Sequence, residues 1–325
     1  MTQRLAIILS ALLLATHVLA EPTLIVVMGA PGEEEYTRQF KKWTGQWGEA
    51  AQKAKATLHT IGIEDKKSSD KPDKDQLKKL IEAQPRDDAE PLWLVLIGHG
   101  TYDGKTAKFN LRGPDLSASE LTEWLKNHER PLAIINCASS SGPFVAALSG
   151  PNRTIATATR SGFEQNFTRL GGHLATALTD PTADLDKDQQ VSLLEAFLTA
   201  AHRTAEFYKV EGRLATEHPL IDDNADGRGT PTDWFRGIRV TKQPEDNSLP
   251  DGLRAHQLHL VLSGSEQQLP PETRTRRNAL ELQLAEIRTQ KPVLKEDEYY
   301  NKLEPLLLEL ARLYQQRPGT NNPEP

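Results

Sequence analysis

Hydrophobic positions along the chain alternate between short continuous runs and helical spacings. Continuous apolar runs cover residues 23–28, 91–97 and 131–135, and such runs are typical of strands buried on both faces. Residues 58–63 and 154–159 form weaker runs of the same kind. Because helical patterns separate these runs, the order predicts an α/β fold with a mainly parallel sheet.

Apolar residues spaced three and four positions apart predict the connecting helices. These helices are expected over residues 76–83, 116–125, 143–148, 170–178 and 191–208. A helix after Glu35 carries an aromatic stripe that we interpret as core packed on the sheet: Tyr36, Phe40, Trp43, Trp47 and Ala51. Residues 105–112 predict a short hairpin, since Tyr102-Asp103-Gly104 favours a turn before it.

The C-terminal part of the chain has a different pattern. Residues 241–250 are polar and predict a linker, which divides a main domain at 21–240 from a region at 241–316. Partial alternation over 256–262 predicts a strand there. The helical spacings that follow predict an αα-hairpin of two helices, 278–289 and 295–315, with Pro305 at a kink or a start; a disordered tail, 317–325, comes last. This hairpin is expected to pack on the main domain, or alternatively to form an oligomer interface.

Residues 1–20 have the three parts of a secretory signal peptide. Arg4 supplies the positive charge, residues 5–14 form the apolar stretch, and Val18-Leu19-Ala20 matches a cleavage site. The apolar stretch is shorter than a membrane-spanning helix requires. We therefore expect an exported protein, periplasmic or extracellular, without a membrane span.

Composition narrows the function further. The chain of 325 residues has a net charge of −6, and no basic stripe with aromatic residues between its charges, so nucleic-acid binding is not expected. It contains one cysteine, Cys137, and therefore no internal disulfide. Exported proteins usually pair their cysteines, so a lone thiol favours a chemical role over a structural one.

Two apolar runs end in residues that can carry chemistry. Residues 91–97 lead into Gly98-His99-Gly100, and residues 131–135 lead into Asn136-Cys137. The helix predicted between them makes a β-α-β crossover, so His99 and Cys137 leave neighbouring parallel strands at the same edge. Cysteine with a nearby imidazole is a pairing used for nucleophilic catalysis.

A buried strand that ends in His-Gly, followed by one that ends in Cys, resembles the caspase–legumain–gingipain clan of cysteine peptidases. Legumain-like members are the most similar, and the resemblance covers about residues 23–210. It implies a caspase-like three-layer α/β/α sandwich and an endopeptidase that acts on polypeptides without a required cofactor, which the predicted signal peptide would export. It also implies that Cys137 is the nucleophile, His99 the proton shuttle, and the N–H groups of Gly100 and Cys137 the oxyanion donors.

Two alternatives to a cysteine peptidase remain in view. A non-catalytic caspase-like scaffold could bind peptides or partners through the same cleft. Ser139, Ser140 and Ser141 raise a serine hydrolase as a rival, but the Gly-x-Ser-x-Gly motif is absent and the histidine precedes the serines.

The charged residues that would select a substrate are less determined. Arg38 follows the first strand, where the resemblance to legumain places an Arg-His pair. Arg160 and Glu164 follow the strand after Cys137. All three are candidate substrate-binding residues, and the sequence does not choose between them.

An acidic stretch has the spacing of a calcium loop. Asp184, Asp186, Asp188 and Glu195 occupy positions 1, 3, 5 and 12, with Gln190 and Ser192 at the seventh and ninth. Gln189 stands at the sixth position, where glycine is expected. A second stretch, residues 222–227, has the glycine but lacks an apolar eighth residue. Calcium is thus a candidate ligand, and acidic surface loops with a helix cap are the alternative.

Overall fold

The computed structural model describes residues 21–63, 71–242 and 249–315. The predicted signal peptide, the predicted tail and most of the predicted linker lie outside the described residues.

The strands and helices follow one another along the chain as the apolar pattern predicts for the first two thirds. The strands are β1 (Thr23–Met28), β2 (Thr57–Ile61), β3 (Leu92–Ile97), β4 (Gly100–Tyr102), β5 (Ala107–Phe109), β6 (Leu116–Ser117), β7 (Leu132–Asn136), β8 (Arg153–Thr157), β9 (Leu220–Asp222), β10 (Thr230–Pro231), β11 (Phe235–Arg236) and β12 (Arg239–Val240). The helices are α1 (Glu34–Ala54), α2 (Asp73–Glu82), α3 (Ala118–Leu125), α4 (Pro143–Leu148), α5 (Leu170–Ala177), α6 (Leu193–Val210), α7 (Leu253–Gln257), α8 (Gly264–Gln267), α9 (Pro271–Thr289) and α10 (Glu296–Gln315).

Within the described part of the chain, seven strands form the main sheet in the order β10-β9-β8-β7-β3-β1-β2. The parallel strands are β8, β7, β3, β1 and β2. At one edge β9 pairs antiparallel with β8, and β10 pairs antiparallel with β9. Every residue of β1, β3, β7 and β8 is buried. This explains their continuous apolar runs, since strands covered on both faces need no polar side.

Helices cover both faces of the sheet. On one face α1, α5 and α6 supply core side chains, among them Phe40, Leu174 and Phe197. On the other face α2, α3 and α4 supply a second core, which includes Leu77, Leu121 and Phe144. The predicted α/β class, a three-layer α/β/α sandwich with a mainly parallel sheet, is confirmed.

Some boundaries differ from the predicted ones. Strand β2 ends at Ile61 rather than residue 63, because Gly62 has φ +87° and a side chain there would meet the Met28 carbonyl oxygen at 1.9 Å. Helix α2 begins three residues early, where the Asp73 carboxylate pairs with Arg112 at 2.8 Å. The predicted hairpin at 105–112 is part of a three-stranded sheet, β4-β5-β6.

The strand predicted over residues 256–262 is wrong. Helix α7 occupies the beginning of this stretch, and His259 makes an isolated bridge with Ser192. The Asp223 carboxylate accepts the N–H groups of Gly252 and Ala255 and so caps α7. The capping residue lies about thirty residues upstream of α7, so the local alternation of apolar residues could not predict this helix.

The C-terminal helices form the predicted antiparallel pair, and α9 begins at Pro271, a residue that favours the first turn. Arg276 pairs with Glu309 at 2.6 Å across the hairpin, and Pro305 lies inside α10. Arg274 pairs with Glu90 at 3.0 Å and so connects α9 to the sheet region. Among the described residues, no helix combines the length and apolar character needed to cross a membrane.

Candidate functional site

The ends of β3 and β7 bring His99 and Cys137 to the same edge and the same face of the sheet. These strands are parallel neighbours, with Leu96 beside Asn136. Side chains alternate along a strand, so His99 and Cys137 continue the series that packs toward α1 and α5. Cys137 belongs to that core, and His99 contacts two aromatic residues of α1.

His99 lies in an aromatic enclosure. Its ring centroid is 4.8 Å from that of Tyr36, 5.3 Å from that of Phe40 and 6.0 Å from that of Phe167. Burial lowers the pKa of His99, and the Pro31 carbonyl and the Glu33 charge offset only part of this effect. The imidazole is therefore neutral at physiological pH, as a proton acceptor must be.

Cys137 is almost fully buried, with 1% of its surface exposed. Helix α5 lies directly against it: a Cβ atom on Gly171 would be 2.8 Å from the Cys137 Cβ and 3.2 Å from its Sγ. Burial, and after it the charge of Glu217, raises the pKa of the Cys137 thiol to about 12. The thiol is therefore protonated in this conformation, whereas a nucleophile needs the thiolate.

The remaining parts of a catalytic site are engaged elsewhere. Among the hydrogen bonds of the described residues, none joins His99 to Cys137. The Gly100 N–H donates to Ser139 Oγ at 3.1 Å, and the Cys137 N–H donates to the Leu96 carbonyl at 2.9 Å. Neither of the two predicted oxyanion donors is free in this arrangement.

A segment before α5 covers the two residues. The Thr168 hydroxyl donates to the Cys137 carbonyl at 2.6 Å, and the Phe167 ring stacks on Tyr36 at 4.8 Å. A cleft of about 380 Å³ opens beside Phe167. Its lining includes Glu35, Tyr36, Gln39, Asn166, Arg169 and Arg213.

Glu217 fixes this covering segment. Its carboxylate accepts the Arg169 N–H at 2.9 Å and the Leu170 N–H at 3.2 Å, which are the first donors of α5. The Tyr208 hydroxyl donates to it at 3.1 Å, and burial raises the pKa of Glu217. We call these contacts of Glu217, together with the bond from Thr168 to Cys137, the Glu217 clamp.

The three serines have structural contacts. Ser139 Oγ also donates to the Gly100 carbonyl at 3.1 Å, and Ser141 Oγ lies 3.2 Å from Thr159 Oγ1. Ser140 adopts φ +55°, and its N–H donates to the Glu164 carbonyl at 2.8 Å. No imidazole contact within the described residues involves these hydroxyls, so the geometry does not support the serine hydrolase alternative.

The three candidate substrate-binding residues separate into two places. Arg160 and Glu164 lie together, 3.3 Å apart, and Glu164 also contacts His218 Nδ1 at 2.6 Å. Through its carbonyl, Glu164 is bonded to Ser140, so this group borders the loop after β7. Arg38 instead pairs with Glu34 at 2.8 Å on the exposed surface of α1.

The predicted calcium loop is partly assembled. Carboxylate oxygens of Asp184, Asp186 and Asp188 lie within 4.8 Å of one another, and Gln189 adopts φ +74°, a conformation usual for the missing glycine. Glu195 acts as a cap, since it accepts the N–H groups of Leu185, Asp186 and Ser192 and the Ser192 hydroxyl. Calcium binding at this loop therefore stays a prediction.

Four residues that contribute to the His99–Cys137 site or to the predicted calcium loop were not identified from the sequence. Phe167 and Thr168 stand in a polar loop without periodicity, and Glu217 follows an irregular stretch. His256 pairs with Asp186 at 2.9 Å from a stretch assigned to a strand. Their roles depend on contacts between distant parts of the chain, for which a single sequence gives no pattern.

Comparisons with known proteins show similarity to solved structures, but none at the level of sequence families or curated proteins. No family model matches the sequence, and no curated protein matches it either. A solved structure, that of the Drosophila initiator caspase Dronc, is similar with a TM-score of 0.41 and 14% sequence identity; the match covers 65% of this chain and 81% of that chain. What the chain does is therefore inferred from its own residues at the edge of the sheet.

Proposed function

We propose that the chain is an exported cysteine peptidase and that the conformation described here is its resting state. The observation that carries the proposal is the convergence of His99 and Cys137 at the ends of adjacent strands, on one face of the sheet. Export depends on residues 1–20, and N-terminal sequencing of secreted protein would detect cleavage near Ala20.

In an active state His99 takes the proton of the Cys137 thiol, and the thiolate attacks the carbonyl carbon of a peptide bond to form a tetrahedral intermediate. The intermediate collapses to an acyl-enzyme as the C–N bond breaks, and protonated His99 gives its proton to the leaving amine. Water, deprotonated by His99, then hydrolyses the thioester and restores the thiol. Each step requires His99 and the thiol to come within hydrogen-bond reach.

Activation requires the Glu217 clamp to open. The N-terminus of α5 would stabilise a thiolate on the neighbouring Cys137, because its free N–H groups carry partial positive charge. Glu217 occupies those N–H groups instead, and its charge raises the thiol pKa. Moving Glu217 away would free the donors and lower the cost of ionising Cys137.

The buried thiol also favours a second candidate function. A cysteine with 1% exposure beneath a helix behaves as a small apolar core residue. In that case the same edge binds polypeptides without cleaving them, through the cleft beside Phe167 and the charged group of Arg160, Glu164 and His218.

Cleavage and binding assays on one set of variants separate the two functions. The purified chain and Glu217→Gln are incubated with a mixed peptide library, with Glu211→Gln as the control for an exposed glutamate. A peptidase cleaves, Glu217→Gln cleaves faster than wild type, and Cys137→Ala and His99→Ala both lose the activity while keeping the native circular dichroism spectrum.

The opposite pattern replaces the peptidase with the scaffold. It consists of no cleavage by any variant, together with equal peptide binding by wild type and Cys137→Ala. Cleavage that persists in Cys137→Ala would show that the nucleophile has been wrongly assigned.

A further inference from the structure

A second group of acidic residues lies at one end of strand β9. Asp222 is the last residue of β9, Asp226 lies in the turn to β10, and Asp251 comes from the approach to α7. One carboxylate oxygen from each lies within 4.8 Å of the other two. Residues from two distant parts of the chain thus meet at one point.

Asp222 differs from an ordinary acidic surface residue. It is 1% exposed, and within the described residues neither of its carboxylate oxygens has a hydrogen-bond partner. The Ser149 hydroxyl and the Ala225 N–H lie near enough to influence it but form no hydrogen bond of normal geometry with it. A buried carboxylate without a partner is costly, so its persistence requires an explanation.

The surrounding charges increase that cost. Burial, with contributions from Asp251 and Asp226, raises the pKa of Asp222 to about 6. No ion pair among the described residues involves Asp222, Asp226 or Asp251. The group therefore gathers three carboxyl groups whose mutual repulsion is offset by no ion pair of the described residues.

The neighbouring contacts hold the group in place and leave Asp222 free. Asp251 accepts the N–H groups of Asp223 and Asn224 at 2.8 and 3.1 Å and the Thr230 hydroxyl at 2.6 Å. Asp226 accepts the Arg228 N–H at 2.8 Å. Asp251 Oδ1 accepts two of these bonds, whereas Asp251 Oδ2 and the two Asp226 oxygens, one of which accepts from Asn224 Nδ2 at 3.2 Å, accept one each and keep a lone pair for a further ligand. Asp223 is committed to capping α7 and does not belong to the group.

We propose that Asp222, Asp226 and Asp251 form a binding site for a calcium ion that connects strand β9 to the approach to α7. The donor set consists of oxygen atoms, which hard divalent cations prefer. Ligands on opposite sides of a calcium ion are about 4.6–5.2 Å apart at its usual 2.3–2.6 Å bond lengths, so oxygens within 4.8 Å can share one ion. Magnesium requires shorter bonds and a stricter octahedron, and it should bind less well.

Thermal unfolding of the purified chain tests the site. At calcium concentrations about tenfold above the dissociation constant, the wild-type Tm should rise by roughly 3–5 °C over its value in chelator, with a smaller rise in magnesium. Asp222→Asn should lose this rise, and in chelator its Tm should exceed that of wild type, because the unpaired buried charge is gone.

Control variants show whether the calcium effect arises at Asp222 or at the other acidic loop. Asp184→Asn, in the other acidic loop, should retain the ion at Asp222, and calorimetric titration should count one calcium fewer in Asp222→Asn than in wild type. Asp226→Asn is a second variant should Asp222→Asn not fold, and it should weaken binding at least tenfold. The proposal is overturned by a wild type that shows no shift in 10 mM calcium, or by an Asp222→Asn protein with the wild-type response and stoichiometry.

Discussion

Cys137 and Asp222 are both ionisable, both 1% exposed, and both found where a strand of the main sheet ends. Their neighbours differ. Cys137 is surrounded by apolar groups and by α5, and burial raises its pKa to about 12, so it stays neutral without needing a partner. Burial, with the charges of Asp251 and Asp226, raises the pKa of Asp222 to about 6, and neither of its carboxylate oxygens has a hydrogen-bond partner among the described residues. Equal burial therefore leaves Cys137 as a neutral, unreactive thiol, whereas it leaves Asp222 as a carboxylate that a bound cation would stabilise.

The largest expected effect concerns the reactivity of Cys137. A pKa of about 12 in place of the usual 8.5 lowers the thiolate fraction near pH 8 roughly 3,000-fold. Alkylation by iodoacetamide should therefore be at least a thousandfold slower in the native chain than in urea, and burial slows it further. Because the folded pKa lies above the unfolded one, stability attributable to the thiol should fall as pH rises above 8.5.

Glu217→Gln tests how much Glu217 contributes to the low reactivity of Cys137. It removes the charge that opposes ionisation and weakens the bonds to Arg169 and Leu170, so alkylation should accelerate about tenfold. A native Cys137 that reacts as fast as an unfolded thiol would remove the contrast with Asp222.

Two helical glycines test how tightly α5 covers the thiol. Gly171→Ala should destabilise the chain by about 1–3 kcal/mol, because the added methyl would lie 2.8 Å from the Cys137 Cβ. Gly45→Ala, in α1, meets nothing within 4 Å and should stabilise by about 0.5–1 kcal/mol. Urea unfolding measures both, and equal values for the two would mean that α5 does not confine Cys137.

Two buried acids should respond to neutralisation with opposite signs. Glu195 is fully buried, but its carboxylate accepts four donors, so Glu195→Gln should destabilise by about 1–3 kcal/mol. Asp222 has no such donors, so Asp222→Asn should stabilise by about 1–3 kcal/mol in chelator. Urea unfolding with chelator present gives both values, and a loss of stability in both variants would mean that Asp222 has partners after all.

The two strand ends also differ in how well a single sequence predicts their surroundings. Apolar runs predicted the buried strands, and the crossover helix predicted that His99 and Cys137 share an edge, because both depend on local periodicity. The Glu217 clamp and the meeting of Asp222 with Asp251 depend on contacts across about 50 and 30 residues, which no local pattern encodes. The strand predicted at 256–262 failed for the same reason, since Asp223 caps a helix there.

The smallest expected effect connects the two regions. Strand β9 runs antiparallel to β8, so its start lies toward the edge that holds Cys137 and its end carries Asp222. Glu217 precedes β9 by three residues, and an ion at Asp222 would therefore restrain the segment that carries the clamp. Calcium can shift local opening only as far as it binds the closed state more tightly, so alkylation of Cys137 should slow by a few fold. Asp222→Asn should show no such slowing. If calcium raises the Tm of the wild type while its alkylation rate stays constant, the ion stabilises β9 without acting on the clamp, and the two regions are independent.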